Sequence, residues 1–175
     1  MKKLKNKDLQ RINIEAFKSA EKTPITIVLD NVRSAINVGS VFRTSDAFLI
    51  ENIILCGITA TPPNKEIRKA ALGSTDSVNW KYIKNTTDAV KQLIKDGYHV
   101  VGIEQADKST KLNEFELPKK PIAIILGNEV NGVDQQAIDL CNEVIEIPQF
   151  GTKHSLNIAV TTGIVIWDLW GKINT

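Results

Sequence analysis

Three polar segments of the sequence carry residue types that bind ligands and assist reactions. The first, residues 30–46, contains Asn37 and Arg43, which lie six residues apart on a predicted helix and therefore near one another on adjacent turns. The second, residues 126–132, places Glu129 between two glycines, which is typical of a tight loop whose backbone amides and carbonyls face a ligand. An amide, a guanidinium and a carboxylate together can hold and polarise a polar substrate.

The third polar segment, residues 147–157, combines a proline and a glycine with Ser155 and Asn157. Because it precedes the last predicted helix, its unpaired backbone amides are placed to meet a polar ligand. Each segment also has an ordinary structural explanation: a capped helix with a surface arginine, a strand-to-helix turn with one exposed carboxylate, and N-capping by Ser155 alone. Taken singly, none of the three segments decides between these alternatives.

The signatures of several common enzyme classes do not occur in the sequence. No G-x-G-x-x-G is found among the ten glycines, so a Rossmann dinucleotide site is not predicted. Gly127 and Gly132 have the spacing of a P-loop, but Val133 stands where an NTPase needs its lysine. The sequence also lacks H-E-x-x-H and G-x-S-x-G, and its two cysteines, Cys56 and Cys141, form no C-x-x-C pair. We therefore expect two reduced structural thiols and no metal site.

The composition is that of an ordinary soluble protein with one domain. The 175 residues are 42% hydrophobic and 24% charged, values that exclude a disordered or fibrous chain. No run approaches the roughly 18 apolar residues of a membrane span, and the basic N-terminus lacks the apolar segment of a signal peptide. These features predict a cytoplasmic protein that does not enter a membrane.

Positive charge is concentrated at the N-terminus. The net charge is +2, yet residues 1–20 contain six basic side chains against only Asp8 and Glu15. Such an arm on a near-neutral body fits a segment that tracks phosphates, and it also fits a solvated helix face.

The elements that must position the polar segments alternate between strands and helices. Apolar, β-branched runs predict six strands, at Ile25–Asp30, Asn52–Gly57, Val78–Ile83, His99–Glu104, Pro121–Gly127 and Glu143–Ile147. Helical patterns predict helices at Val38–Leu49, Thr86–Lys95, Val133–Cys141 and His154–Trp170. We therefore predict an α/β fold with a mainly parallel six-stranded sheet, helices on both faces, and ligands beyond the carboxyl ends of the strands.

Taken together, the three segments resemble the ordered motifs of a known family. N-x-x-x-x-x-R ending at Arg43, L-G-N-E-x-x-G ending at Gly132 and I-P-x-x-G-x-x-x-S-L-N ending at Asn157 resemble the motifs of the SpoU/TrmH family. This family comprises RNA ribose 2′-O-methyltransferases of the SPOUT superfamily that use S-adenosylmethionine. The resemblance covers about residues 24–170. The strings GIEQ, LGNE and IPQ look closest to the catalytic domains of eukaryotic tRNA guanosine-2′-O-methyltransferases.

The resemblance implies a fold and a site for this chain. It implies a C-terminal trefoil knot, which overrides the general expectation of an unknotted sheet. A basic helical segment at 1–23 would precede a single SPOUT domain at 24–175. The implied catalytic residues are Arg43, Asn37, Glu129, Ser155 and Asn157. The implied residues around S-adenosyl-L-methionine are Ile103, Glu104, Leu126, Gly127, Asn128, Gly132, Ile147, Pro148 and Leu156.

The resemblance also implies partners. The expected partners are tRNA or rRNA and a second copy of the chain in a homodimer, without a membrane or a metal. The expected RNA-binding residues are Lys2, Lys3, Lys5, Lys7, Arg11, Arg33 and Arg43. A guanosine of tRNA is the first expectation for the target, and rRNA is the second. The base and its position cannot be read from the sequence, because RNA is selected by its shape and by its unpaired bases.

The reaction would be an in-line displacement by the ribose 2′-hydroxyl, and its proton must leave. Since a guanidinium stays protonated in proteins, Arg43 is expected to hold the neighbouring phosphate and polarise the hydroxyl rather than act as a base. The phosphate or Glu129 would then accept the proton. One departure from the family pattern is Ala159, where relatives often carry serine. Two other functions stay open: a catalytically silent knotted module that binds RNA, and an unrelated flavodoxin-like domain that binds flavin or phosphate.

Overall fold

The computed structural model describes residues 1–5 and 8–175 and contains one parallel sheet. Seven strands form it: β1 Thr23–Asp30, β2 Ile50–Cys56, β3 Trp80–Ile83, β4 His99–Ile103, β5 Thr110–Lys111, β6 Ile122–Leu126 and β7 Glu143–Glu146. Their order is β3-β2-β1-β6-β4-β7-β5, and every pairing is parallel. The α/β class and the parallel sheet are as predicted from the apolar runs.

The predicted count of six strands is wrong, because the sheet has a seventh strand at its edge. This strand, β5, contains only two residues, Thr110 and Lys111, and pairs with β7. Two half-exposed polar residues carry neither an apolar run nor an alternation, so no sequence pattern marks them as a strand.

Seven α-helices and a 3-10 helix at Leu112–Glu114 connect and flank the strands within the described residues. The α-helices are α1 Ile14–Ser19, α2 Ala35–Ala47, α3 Lys65–Ala71, α4 Ser74–Ser77, α5 Thr86–Lys95, α6 Gln135–Ile138 and α7 Ile158–Ile173. The sheet buries an apolar core on each face. One core packs with α1, α2, α3 and α7, and the smaller one packs with α5 and α6. Helices therefore cover both faces, as predicted for strands that are apolar on both sides.

Capping residues explain where several helices differ from their predicted bounds. The second helix starts at Ala35 rather than Val38, because the Ser34 side chain accepts a hydrogen bond from the Asn37 amide. The last helix starts at Ile158 rather than His154, because Asn157, and not Ser155, is its N-cap. The helix predicted at 133–141 shortens to 135–138, since Asp134 caps its start and the last residues form turns.

The N-terminal segment is only partly helical. Among the described residues of 1–23, the α-helix covers 14–19, and its residue Phe17 is 3% exposed in the larger core. The basic residues Lys2, Lys3 and Arg11 lie in exposed chain before this helix. Lys7 lies outside the described residues. The helix is therefore anchored to the domain, whereas the basic residues precede the anchor.

All strands are parallel, so the loops that follow them meet at one edge of the sheet. The three polar segments of the sequence follow β1, β6 and β7 and thus lie together at this carboxyl edge. Within the described residues, no helix is long and apolar enough to cross a bilayer. The same residues contain no group of three or more His, Cys, Asp or Glu side chains arranged to hold a metal.

Candidate active site

A hydrogen-bonded network joins the three polar segments. Asn37, on the first turn of α2, donates from Nδ2 to Glu129 Oε1 at 3.3 Å. Asn157, the N-cap of α7, donates from Nδ2 to Asn37 Oδ1 at 3.2 Å. Asn37 thus bridges the loop after β6 and the start of the last helix, and the structure brings these three predicted catalytic residues together.

The Glu129 carboxylate is held mainly by backbone amides. The amides of Arg33 and Ser34 donate to its two oxygens at 2.9 and 3.0 Å, in addition to the Asn37 bond. Burial raises the pKa of the Glu129 carboxyl, but these hydrogen bonds outweigh burial, so the pKa lies below its usual value. A carboxylate with most of its lone pairs occupied and a lowered pKa is a weak base. Its geometry suits a clamp between the loops after β1 and β6.

The loop after β6 requires glycine at two places. Asn128 and Gly132 face each other through two backbone hydrogen bonds of 2.9 Å, which fold the loop back on itself. A Cβ on Gly127 would lie 2.1 Å from the carbonyl carbon of Gly132 and from the amide nitrogen of Val133. Gly132 has φ of +70° and would carry a Cβ 2.1 Å from a Glu104 oxygen. Both glycines of L-G-N-E-V-N-G are thus required, Gly127 by a close backbone contact and Gly132 by its positive φ and the Glu104 side chain.

Two residues at the end of β4 hold this loop and the next one. Glu104 accepts hydrogen bonds from its neighbour Gln105 and from the Val133 amide, at 2.9 and 3.1 Å. Gln105 donates from Nε2 to the His154 carbonyl at 2.7 Å. Sequence reasoning placed Glu104 at the site but not Gln105, although Gln105 ends the GIEQ string and directly follows a buried strand.

Asp30 is a second residue that sequence reasoning missed. Its side chain is 1% exposed at the end of β1 and accepts hydrogen bonds from Thr86 Oγ1, Asn31 Nδ2 and the Asp134 amide. It therefore ties β1 to the starts of α5 and α6. A carboxylate that ends a continuously apolar strand was a signal for such a role, because a buried charge needs several donors.

A cleft of about 1020 Å³ opens beside this network, between the loops after β4, β6 and β7. Eight of the nine residues predicted to surround a cofactor line it: Ile103, Glu104, Leu126, Gly127, Asn128, Gly132, Ile147 and Leu156. The ninth, Pro148, is described by the structure but does not line the cleft. The predicted catalytic residues Glu129, Ser155 and Asn157 lie at its wall, whereas Asn37 and Arg43 lie outside the lining.

The lining of the cleft is acidic. Its lining residues include five carboxylates and two basic groups: Glu104, Asp107, Glu129, Asp139 and Glu146, against Lys108 and His154. The cleft is also close in size to the 300–1,000 Å³ of common small-molecule sites. Its charge favours a ligand that carries positive charge.

Arg43 and Ser155 are not part of the hydrogen-bonded network. Arg43 is exposed on α2, and its guanidinium makes no hydrogen bond or ion pair with another described residue. Its position is six residues from Asn37, about 9 Å along the helix axis. Ser155 is exposed in the loop before α7. The predicted RNA-binding residue Arg33 is exposed too, with its amide on Glu129.

The sequence profile of the SpoU rRNA Methylase family matches residues 24–167. The chain belongs to this SpoU family. Two of its curated relatives are 23S rRNA (guanosine-2′-O-)-methyltransferases named RlmB. That of Vibrio parahaemolyticus is 28% identical over 162 residues, covering 93% of this chain and 65% of the relative. That of Neisseria meningitidis is 26% identical over 152 residues, covering 87% and 60%.

Solved structures of RNA methyltransferases and an RNA-modifying enzyme share the fold. An S-adenosylmethionine-bound rRNA methyltransferase from Sinorhizobium meliloti is 30% identical, with a TM-score of 0.79 over 85% of this chain and 56% of that one. A TrmH/SpoU tRNA modifying enzyme from A. aeolicus has a TM-score of 0.80 at 23% identity, over 92% of this chain and 80% of that one. The chain spans 63% and 62% of the length of two related Staphylococcus proteins.

Proposed function

We propose that this chain transfers a methyl group from S-adenosyl-L-methionine to a ribose 2′-hydroxyl of RNA. The observation that carries the proposal is the Asn37–Glu129–Asn157 network, which fixes three separate family motifs at the mouth of one acidic cleft. The names of the relatives in this family support both the methyl transfer and the 2′-hydroxyl as its target.

The cleft has features that fit S-adenosyl-L-methionine. When bound, this cofactor supplies an electrophilic methyl group on a positively charged sulfonium. The acidic lining suits that charge, and the two loop glycines let the loop after β6 pack closely on itself and on Glu104 at the wall of the cleft. We propose that Gly127, Ile147 and Leu156 hold the adenosine part through backbone groups and apolar packing. The other residues proposed around the cofactor are Ile103, Glu104, Leu126, Asn128, Gly132 and Pro148. The S-adenosylmethionine bound to the 30% identical rRNA methyltransferase of Sinorhizobium meliloti supports this assignment.

Arg43 is proposed as the catalytic residue, with Asn37, Ser155 and Asn157 as polar neighbours of the substrate. Its guanidinium remains charged and can hold the phosphate next to the target ribose while it polarises the hydroxyl. Of the two proton acceptors expected from the sequence, the phosphate is favoured, because the Glu129 oxygens already accept hydrogen bonds from the Arg33 and Ser34 amides and from Asn37, whereas the phosphate held by Arg43 lies next to the target ribose. Glu129 then orders the loops on which Arg33 and Asn37 lie.

The proposed substrate is a guanosine of tRNA or rRNA in the cytoplasm, held by Arg33, Arg43 and the basic residues of the N-terminus. The relatives' names support both classes of RNA, so both belong in the assay. We also propose the C-terminal trefoil knot. In support, the last helix, α7, packs against α2, which follows β1. Strand β7, which precedes α7, lies three strands away from β1, so the chain must cross back over β4 and β6 to reach α2.

A homodimer is the proposed assembly. The last helix leaves an apolar stripe exposed at Val160, Ile164 and Trp167, whose side chains are 52%, 38% and 62% exposed. Residues at this spacing lie on one face of a helix, and a contiguous exposed apolar face is typical of an interface.

The proposed function is tested by incubating the protein with labelled S-adenosylmethionine and unmodified tRNA and rRNA transcripts. We expect label at a 2′-O-methyl nucleotide of one RNA class. The Arg43→Ala variant should lower kcat by about 100-fold or more, the effect of losing one charged transition-state donor, while cofactor affinity stays within twofold.

Arg43→Lys is the matched variant, because it keeps the charge but loses the planar fork of the guanidinium. We expect turnover between that of the wild type and that of Arg43→Ala. Turnover of Arg43→Ala equal to the wild type would contradict the proposed role of Arg43. Tight cofactor and RNA binding without any label would instead identify the chain as a silent RNA-binding module.

A further inference from the structure

The carboxyl edge of the sheet has two halves of opposite charge. The loops after β4, β6 and β7, at 104–108, 127–139 and 147–157, carry five carboxylates against two lysines. The segments after β2 and β3, at 57–69 and 84–85, carry four exposed cations, Lys65, Arg68, Lys69 and Lys84, against Glu66 alone. Strand β1 and helix α2, with the network of the candidate site, separate the halves. The acidic half contains the cleft, so the basic half is available to a polyanion.

An exposed aromatic ring is fixed at the basic half. Tyr82, on the edge strand β3, is 49% exposed, and its hydroxyl donates to the Gly57 carbonyl at 3.0 Å. The Gly57 amide in turn donates to the Lys84 carbonyl at 3.2 Å, and the next residue, Ile58, is 68% exposed. We call Gly57, Ile58, Tyr82 and Lys84 the β2–β3 shelf.

The shelf is joined to the candidate active site through Asn31. The side-chain oxygen of Asn31 accepts the Ile58 amide at 3.1 Å, and its backbone carbonyl accepts Asn128 Nδ2 at 2.7 Å. Asn31 itself has φ of +54°, and a Cβ on Gly57 would lie 2.0 Å from the Asn31 side-chain oxygen. The glycine and the left-handed asparagine therefore place the shelf at a fixed position relative to the loop after β6.

We propose that the β2–β3 shelf binds a nucleotide of the substrate RNA that flanks the methylated one, with its base against the Tyr82 ring and its phosphate near Lys84. The proposal rests on the proposed function, because it requires an RNA substrate at the neighbouring network. A ring of this kind stacks on any exposed base, and lysine is a common partner of the adjoining phosphate.

The spacing along the sheet edge suits this arrangement. Strand β3 lies two strands from β1, which at 4.8 Å per strand is about 10 Å. About three stacked nucleotides cover this distance at 3.4 Å each. RNA that presents its ribose at Asn37 and Arg43 would therefore reach the shelf within a few nucleotides and leave the acidic cleft to the cofactor.

The test measures RNA binding and methylation by shelf variants of the full chain, with unmodified tRNA and rRNA transcripts as probes. For Tyr82→Ala we expect the Kd and KM for RNA to rise about tenfold, the size of one lost stacking contact, with kcat and cofactor affinity unchanged. Tyr82→Phe keeps the ring but loses its hydrogen bond to Gly57, so it should retain most of the wild-type affinity. Lys84→Gln should reduce the slope of log K against log salt by about 0.7, as expected for one phosphate contact of a single strand.

Lys95→Gln is the matched control, because Lys95 is exposed at the far end of α5 and lies at the opposite edge of the sheet. It should leave affinity and salt slope unchanged. Methylation and RNA affinity of Tyr82→Ala and Lys84→Gln equal to the wild type would overturn the shelf and leave the proposed function intact. A wild-type protein that binds neither RNA class would overturn both the shelf and the proposed function. Unchanged cofactor affinity in every variant excludes misfolding as the cause of a loss of RNA affinity.

Discussion

At the scale of single residues, the site depends on amides and asparagines more than on charged pairs. Glu129 accepts two backbone amides and one asparagine, and Asn37 both donates to Glu129 and accepts from Asn157. Each of these bonds joins segments that are more than 90 residues apart in sequence. Such a network orders three loops at once, so removing one member should affect all of them.

Glu129→Gln tests the clamp through its pH dependence. Since the folded-state pKa of Glu129 is lowered, its contribution to stability is present above the ordinary glutamate pKa of about 4.3 and is lost as the pH falls through the folded value. The variant should therefore be less stable than the wild type at pH 7, by under about 1 kcal/mol because the carboxylate is exposed. Urea unfolding between pH 7 and pH 3 should show this difference shrinking toward zero.

The exposed carboxylate Glu116, outside the site, provides the control substitution Glu116→Gln. It should change stability little at any pH in this range. A difference between wild type and Glu129→Gln that is constant from pH 7 to pH 3 would show that the carboxylate charge has no part in the clamp.

The residue types of the site could be predicted from the sequence, but their partners could not. Asn37, Glu129 and Asn157 were identified by motif, whereas Asp30, Asn31 and Gln105 were missed. These three act through contacts made across the sheet edge, and such contacts depend on strand order. Single-sequence patterns report local periodicity and give no information on which loops become neighbours.

At the scale of elements, α2 is positioned by unusually close packing against α3. A Cβ on Gly39 would lie 2.5 Å from the Ile67 carbonyl oxygen and 2.7 Å from the Ala70 Cβ. Helix α2 starts with the network at Asn37 and carries Arg43 one turn beyond Gly39. The glycine that disfavours an isolated helix thus allows the approach that places both residues.

Gly39→Ala should destabilise the protein although alanine is the better helix former. Alanine gains about 1 kcal/mol in helix propensity over glycine. Its Cβ, however, overlaps atoms of α3 that cannot move without separating α2 from α3, and such overpacking costs about 1–3 kcal/mol. We expect a lower urea midpoint together with weaker methylation. Ser40→Ala, at the neighbouring half-buried position, is the control and should leave the midpoint nearly unchanged. A Gly39→Ala protein more stable than the wild type would contradict this account of the packing.

Helices and strands with strong periodicity were predicted well, and short elements were not. The bounds of α5 agree with the prediction, because its apolar residues repeat at helical spacing and bury one face. Helices α3 and α4 follow a proline-rich connection and span only seven and four residues, too few for a pattern to emerge. Both helices pack on α2, and Asn64 caps the start of α3.

At the scale of the whole molecule, the apolar stripe of α7 has no covering element within the described residues. Trp167 is 62% exposed, although its ring stacks on Trp170 at 5.7 Å and meets Phe48 edge-on at 6.0 Å. The aromatic cluster is thus ordered on its inner side and open on its outer side. An exposed tryptophan next to Val160 and Ile164 is typical of an interface core, which supports the proposed homodimer.

Trp167→Glu should convert the proposed dimer into a monomer, because a carboxylate at the centre of an apolar interface loses its hydration without gaining a partner. Light scattering coupled to size exclusion should give a mass near twice 19.4 kDa for the wild type and near 19.4 kDa for the variant. Ile94→Glu, which replaces a 41% exposed apolar residue on α5, is the matched control and should stay dimeric. A wild-type protein that is monomeric at tens of micromolar would contradict the proposed dimer. A Trp167→Glu protein that remains dimeric would show that α7 does not form the dimer interface. If dissociation also lowers methylation while cofactor affinity is kept, the second copy is needed for RNA binding or catalysis rather than for holding the cofactor.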